Sequence, residues 1–487
     1  MRMGFGGLDY AVLLVYLVAT AAFGLWMGRD QGSLQAYFLG RRSLPWWAVC
    51  LSIVATETST LTFIGAPAIA YDGNLTFLQV AFGYIIGRIL VTLILLPGYF
   101  QGHIVSAYEV LQKTLGTQVR NFSAFLFQAN RLLADGVRLF ATALVLSVVT
   151  QISDFWTVIL IGLITIIYTY YGGLVAVVWN DVVQLVIYVG GALIAAWVLL
   201  DQIPGGWNQM VITANAAGKL QFLDFGLLFS RPYTLWGGVI GGAFLTFATH
   251  GTDQMMVQRY LSCRNLNESR RALILSGFLV FFQFLLFLLI GIMLYVYYLD
   301  VPIGREVSQS NEIFPIFIVD KMPSGVAGLI IAAVFAAAMS TLSSSLNSLS
   351  ASFVNDYYRP ILAPGRGDRH YLQVSRFSTL GWAVALILVS QLAKQWGEVL
   401  QAGLTITSVV MGSILGAFLL ANWNPRSSGL STLIGMISGL FGLLTIVVVF
   451  PTSIAWTWFV LIGTSITFGV GSLMTVFFPR SRVGFSK

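Results

Sequence analysis

The densest chemistry in this chain lies in one otherwise apolar segment, Ser340-Thr341-Leu342-Ser343-Ser344-Ser345-Leu346-Asn347-Ser348, which follows the run Ile330 to Ala338. At helical spacing Ser340, Ser343, Ser344 and Asn347 fall at i, i+3, i+4 and i+7. Thr341, Ser344, Ser345 and Ser348 repeat the pattern one residue on, so oxygens line one broad face. Several neutral oxygens at close quarters can replace the water shell of a small hard cation. Small side chains also let membrane helices approach closely, so the stripe by itself reads as a packing surface as readily as half of an ion site.

Ionisable residues in apolar surroundings are expensive and mark function by default. Glu57 stands within Val54-Ala55-Thr56-Glu57-Thr58-Ser59-Thr60-Leu61-Thr62, where it could bind a substrate ammonium or hydroxyl, take up a proton, or neutralise Arg138. Arg131, Asp135 and Arg138 share a helix face at i, i+4 and i+7. If Arg131 and Asp135 pair internally, Arg138 is left to meet an anionic substrate group. Asp181 follows the Gly172-Gly173 turn, where it could cap a helix, offset nearby arginines or hold an ion, and Arg88 has no sequence-local partner. His250 reads as a hydrogen-bonded residue at a helix break.

Enzyme chemistry finds little support. The sequence has no G-x-x-x-x-G-K-[ST] phosphate loop and no H-E-x-x-H or Cys/His cluster, and its three histidines, His103, His250 and His370, are scattered. Cys50 and Cys263 both fall near expected cytoplasmic helix ends, where a structural disulfide is not expected.

The elements that must position these groups are membrane helices. Of 487 residues, 57% are hydrophobic and 9% charged, against roughly 25% charged in soluble domains. We expect one membrane domain over residues 1–487 with about thirteen spans, near 8–28, 45–71, 77–99, 121–150, 155–172, 176–200, 233–256, 270–298, 324–354, 373–393, 398–422, 428–450 and 453–477. The first lacks a cleavage site and is read as a retained helix. Alternate loops carry Arg29, Arg41, Arg42, Lys113, Arg120, Arg259, Arg264, Arg270, Arg271, Arg359, Arg366, Arg369, Arg376, Arg426, Arg480, Arg482 and Lys487. The opposite loops carry only Arg2, Lys219, Arg231, Arg305, Lys321 and Lys394. The positive-inside rule then places the N-terminus outside and the C-terminus inside, and the net charge of +7 reflects topology and not a nucleic-acid partner.

Two expected spans have polar interruptions: the second, around Glu57 with Gly65 and Pro67 beyond, and the seventh, at Thr246-Phe247-Ala248-Thr249-His250-Gly251-Thr252-Asp253-Gln254. Being five spans apart, they run in opposite directions, as two inverted five-helix repeats require. Unwound backbone at membrane depth is tolerated where protein or a water-filled cavity covers it.

Together these segments resemble the sodium:solute symporter family, which has the leucine-transporter-like fold. The resemblance runs through Tyr37-Phe38-Leu39-Gly40-Arg41-Arg42-Ser43-Leu44-Pro45-Trp46-Trp47, Ala55 to Phe63, Tyr170-Tyr171-Gly172-Gly173, Val178 to Gln184, Asp253 to Ser262, and most strongly Gly328 to Ser348. It is nearer to members that transport sialic acid, monocarboxylates and vitamins than to the sugar transporters. It implies an all-α polytopic membrane protein with a 5+5 inverted repeat: a leading helix at 8–28, a first repeat over about 45–200, a second over about 233–422, and two further helices over 428–477.

By the same resemblance, the main sodium site would use backbone oxygens of Ala55, Thr58 and Ala337 with the hydroxyls of Ser340 and Thr341, the last replacing the commoner serine. Asp181, Ser343 and Ser344 match a second sodium site found in some members, which implies one or two Na+ ions. The substrate pocket would involve Glu57, Ser59, Thr62, Phe77, Arg138 and Phe244. Glu57 stands where sialic-acid-transporting members carry a neutral residue. Ser345, Asn347 and Ser348 keep the packing role.

The expected function is sodium-coupled import of a small polar organic solute by alternating access, in a multi-pass protein of the cell (inner or plasma) membrane. Glu57 and Arg138 together favour a carboxylate or a zwitterion such as an amino acid. Proton coupling through Glu57, a channel and a membrane sensor are the competing readings.

Overall fold

The computed structural model describes residues 5–480 other than 30, 103, 305, 306, 308 and 394–398. His103, Arg2, Arg305, Lys394, Arg482 and Lys487 therefore lie outside the described residues. Helix α1, Gly7–Met27, is followed by the short α2, Leu34–Leu39. Pro45 then opens α3, Trp46–Glu57, which is separated from α4, Thr60–Asp72, by Thr58 and Ser59 with a bend of 63°. Next come α5, Leu75–Tyr99, the short α6, Glu109–Leu115, α7, Thr117–Thr150, the 49-residue α8, Asp154–Gln202, and α9, Gly206–Ala216.

The second half opens with a π-turn, Gly237–Gly241, leading into α10, Gly242–Gly251, and then α11, Gln254–Leu261. It continues through α12, Leu266–Asp300, α13, Ile313–Lys321, α14, Val326–Ser352, α15, Asp368–Ala393, α16, Val399–Trp423, α17, Gly429–Val449, and α18, Phe459–Met474. Among the described residues, up to ten segments are long and apolar enough to cross a membrane. The expectation of about thirteen adds the second half of α8, and α7 and the α10–α11 pair, whose charged or short stretches fail that measure.

Both interruptions have local causes. At the first, the Thr58 hydroxyl donates to the Val54 carbonyl at 2.8 Å, which satisfies that acceptor while the Thr58 backbone turns extended at ψ 97°. Such side-chain bonds compete with the helical ladder. At the second, the Asp253 carboxylate accepts from the Met255 amide at 2.9 Å and starts α11 afresh. The long α8 turns at Gly173, whose φ of 53° and ψ of −150° lie outside the range of L side chains. A Cβ at that position would also overlap the Tyr37 carbonyl.

Among the described residues, the hydroxyl stripe lies on the most enclosed of the membrane-length helices. In α14 every residue from Ile330 to Ser352 is buried, and α8, α7, α1 and α3 surround it. Its oxygens therefore face protein on all sides, which a lipid-facing serine stripe would not need.

Candidate transport site

The break in α3–α4 is laid directly against the stripe. Ser340 donates to the carbonyls of Ala55 at 2.9 Å and Ala337 at 3.0 Å, and Thr341 donates to those of Thr56 at 3.2 Å and Ala337 at 3.3 Å. Four of the five residues expected at the main sodium site, Ala55, Ala337, Ser340 and Thr341, thus converge. The fifth, Thr58, expected to contribute its backbone oxygen, sits at the break itself, and its hydroxyl accepts from Gln283 Nε2 of α12 at 2.6 Å. Thr60 ties the far side of the break to the Val334 carbonyl at 3.2 Å. Neutral carbonyl and hydroxyl oxygens in this arrangement suit a monovalent hard cation, and hydroxyls can turn their lone pairs to it.

One turn along α14, the region of the expected second sodium site is organised differently. Asp181 lies deep in α8, away from any helix cap. Its Oδ2 accepts from Thr56 at 3.2 Å and from the Arg259 guanidinium at 3.0 Å. Arg259 also donates to Ser52 at 2.9 Å, to the Met255 carbonyl at 2.7 Å, and to Thr56 and Ser344. Sequence reasoning assigned Arg259 to a basic loop, whereas it is 1% exposed inside α11. Ser343 donates to the Ser340 carbonyl at 3.1 Å. A resident cationic side chain thus bonds to two of the three oxygen-bearing groups read as second-ion ligands, Asp181 and Ser344. Asp181 Oδ1, buried and without a hydrogen-bond partner among the described residues, is the acceptor left over.

Above the break lies a cavity of about 190 Å³ bordered by Glu57, Ser59, Thr62, Phe77 and Arg138, five of the six expected pocket residues. Phe244 packs against the core outside that lining, and Leu245 and Thr246, the next two residues, border the cavity instead. Thr249, His250, Met255, Tyr233, Phe284 and Trp456 complete much of the wall, and the sequence analysis selected none of them for that role.

The charges pair across helices in combinations that sequence spacing does not reveal. Glu57 is bonded to Arg88 of α5, which correlates neither with a free Glu57 nor with its neutralising Arg138. Arg88 is fully buried and also donates to Ser276 at 3.2 Å and the Tyr84 carbonyl at 3.3 Å, with His250 Nε2 3.2 Å away. His250 Nδ1 lies 3.2 Å from the Thr249 hydroxyl. His250 Nε2 also lies 3.5 Å from the Glu57 carboxylate.

The second set forms a ladder, Asp253–Arg131–Asp135–Arg138. Arg131 bonds to Asp253 at the start of α11 and lies 3.5 Å from Asp135, and Arg138 donates to Asp135 at 2.8 Å. Arg138 is therefore held by Asp135, contrary to the expectation that Arg131 alone would occupy it. Its side chain remains 24% exposed at the cavity wall. Ser345, expected only to pack, donates to Asp135, and Asn347 accepts from Gln258 at 2.7 Å. Cys50 and Cys263 are buried free thiols.

Known proteins share this fold. The model of the sodium:solute symporter family matches residues 37–439. The sodium/sialic acid symporter NanT of Aliivibrio fischeri is 30% identical over 480 residues, 98% of this chain and 94% of the relative. The human sodium/iodide cotransporter is 31% identical over 458 residues, 90% of this chain and 69% of that protein. A solved Na+-coupled sialic acid symporter, in a substrate-bound outward-open state with a novel Na+ site, matches with a TM-score of 0.89 at 28% identity over 98% of this chain and 99% of that one. The nucleobase-cation-symport-1 transporter Mhp1, at 14% identity and a TM-score of 0.56, shares the fold. Two opposed helix breaks meeting a hydroxyl-bearing helix, with a cavity above, accordingly have a settled meaning: the chain belongs to the sodium:solute symporter family, with the leucine-transporter-like fold, and is a sodium-coupled membrane symporter of a small molecule, not an enzyme.

Proposed function

We propose that this symporter imports a compact carboxylate or zwitterion such as an amino acid. The observation that carries the reading is Arg138: a guanidinium at the cavity wall, held in place by Asp135 and still open to the cavity. A planar, permanently charged fork suits a carboxylate. The cavity, at about 190 Å³, is below the range of roughly 300–1,000 Å³ for drug-sized ligands, which favours a compact solute. Glu57 borders the same space, but Arg88 already balances its charge, so its part is to orient a donor on the substrate. That pairing also weighs against Glu57 as the site of proton coupling.

In this reading Na+ binds at Ala55, Thr58, Ala337, Ser340 and Thr341, bridging the broken helix and α14 and favouring the state ready for substrate. A second Na+ at Asp181, Ser343 and Ser344 would have to share Asp181 with Arg259, so we favour a single ion. We read the N-terminus as outside and the C-terminus as inside, with repeats over about 45–200 and 233–422. The test is uptake into proteoliposomes under an imposed sodium gradient, screening monocarboxylates, amino acids, iodide and sialic acid. Arg138→Lys should raise the KM for the transported acid about tenfold, for loss of a bidentate charge-assisted pair, while sodium activation is retained. An unchanged KM would remove Arg138 from substrate recognition.

A further inference from the structure

The family match ends at residue 439, yet Trp456, in the short turn before α18, borders the cavity. Its segment is fixed in place. The Ala455 amide donates to the Phe229 carbonyl at 2.7 Å, and a Cβ at Gly241 would overlap the Thr457 carbonyl, so the turn lies against the backbone of the π-turn that opens α10. Tyr233 and Trp456 both border the cavity. Tyr233 meets Phe77 edge-on at 5.3 Å between ring centroids, and Phe77 meets Phe284 at 4.8 Å. All four rings line the cavity. Phe77 and Tyr233 pack ring to ring, and the Trp456 turn lies against the π-turn that follows Tyr233, so the rings cluster where these helices start, whereas Arg138 is in mid-helix. One end of the cavity is therefore charged and the other aromatic.

We infer that Trp456, with Phe77, Tyr233 and Phe284, forms an aromatic cap that receives the apolar tail of the substrate, and that Trp456 is a specificity-determining residue. The ligand class is then a small carboxylate with an alkyl or aryl tail, in preference to a polyhydroxylated acid. An aromatic wall rewards apolar area and offers few partners to hydroxyls, which would lose their water on binding. The inference rests on the reading of Arg138 as the carboxylate-binding group and sharpens it.

The test uses the purified full chain in saturating sodium. Ligand-induced thermal stabilisation is measured with straight-chain monocarboxylates from propanoate to hexanoate, phenylacetate, the corresponding amides and sialic acid. In the parent, affinity should rise about fourfold per added methylene, the transfer free energy of one CH2. In Trp456→Ala that step should fall below about twofold, while Trp456→Phe keeps most of it. Sodium-dependent stabilisation, which reports the ion site and not the cap, should persist in both variants and shows that they fold. An undiminished chain-length step in the folded Trp456→Ala protein would overturn the inference, as would a parent that prefers sialic acid to every tailed acid. If amides bind as well as acids with a Trp456-dependent step, the carboxylate reading fails and the cap stands. If acids bind without any step, the cap fails and the carboxylate reading stands.

Discussion

Replacing Arg88 and Glu57, singly and together, gives a sharp test of how the cavity is held. Arg88 is 0% and Glu57 18% exposed at the side chain, so the two are stranded unequally when one is removed. Glu57→Met leaves a guanidinium with no water and only Ser276, the Tyr84 carbonyl and His250 as partners. That is the full penalty for breaking a buried pair, about 3–5 kcal/mol. Arg88→Met leaves a carboxylate that still reaches the cavity and its water, so the loss should be about half as large, roughly 2 kcal/mol. In the double variant neither charge needs desolvation, and two methionines fill much of the space. Its stability should approach the parent's, since apolar replacement of buried pairs is often neutral. Thermal unfolding midpoints of the four purified proteins should therefore run parent and double variant highest, then Arg88→Met, then Glu57→Met. A double variant less stable than both single ones, with losses that add, would refute the pairing and the unequal exposure on which the argument rests.

Three further outcomes follow from the geometry. Ser340→Ala should raise the sodium concentration for half-maximal uptake about tenfold or more, because one oxygen-to-cation contact of roughly 1.5–3 kcal/mol is lost; Thr341→Ser should stay near the parent, and equal sodium activation in Ser340→Ala would move the ion elsewhere. Gly173→Ala should lower the yield of folded protein on size-exclusion chromatography, since its φ of 53° and the nearby Tyr37 carbonyl both exclude a Cβ at a cost of about 1–3 kcal/mol or more. Arg259→Met combined with Asp181→Leu should slow turnover in uptake assays while leaving sodium affinity close to the parent value; unchanged turnover would show that this contact does not part during the cycle, and faster turnover that parting the charged pair is the costlier step.

What the sequence made legible was local, and what it hid was pairwise. The break after Glu57 and the one near Asp253 could be found because hydroxyls, Gly and Pro act on their own backbone within a few residues. The stripe from Ser340 to Ser348 could be found because helical spacing alone puts its oxygens on one face. The partner of Glu57 could not, since Arg88 lies 31 residues away on another helix, and nothing in either segment names the other. Arg259 was misread because an arginine beyond a helix break looks like a loop residue under the positive-inside rule; the polar run Gln254, Gln258 and Arg259 on one short helix was the available signal. Phe244 was placed one residue off the cavity, as a helix turns about 100° per residue and a wrong neighbour faces elsewhere. Trp456 went unselected because a tryptophan at the start of a span usually marks the membrane interface.

The buried pair of Arg259 and Asp181 has a consequence for how readily one face of the protein can open. It joins α11 to α8, with Ser52 and Thr56 of α3 and Ser344 of α14 gathered around it. Closed, the two charges have given up their hydration in exchange for each other; parted, each recovers water. Those terms nearly cancel for a buried ion pair, so a closure that relied on this pair would sit close to balance and could be undone at little cost. An oily seal of the same area would exact its full hydrophobic penalty at every opening, and a carrier that must reset after each delivery would be slowed by its own tightness.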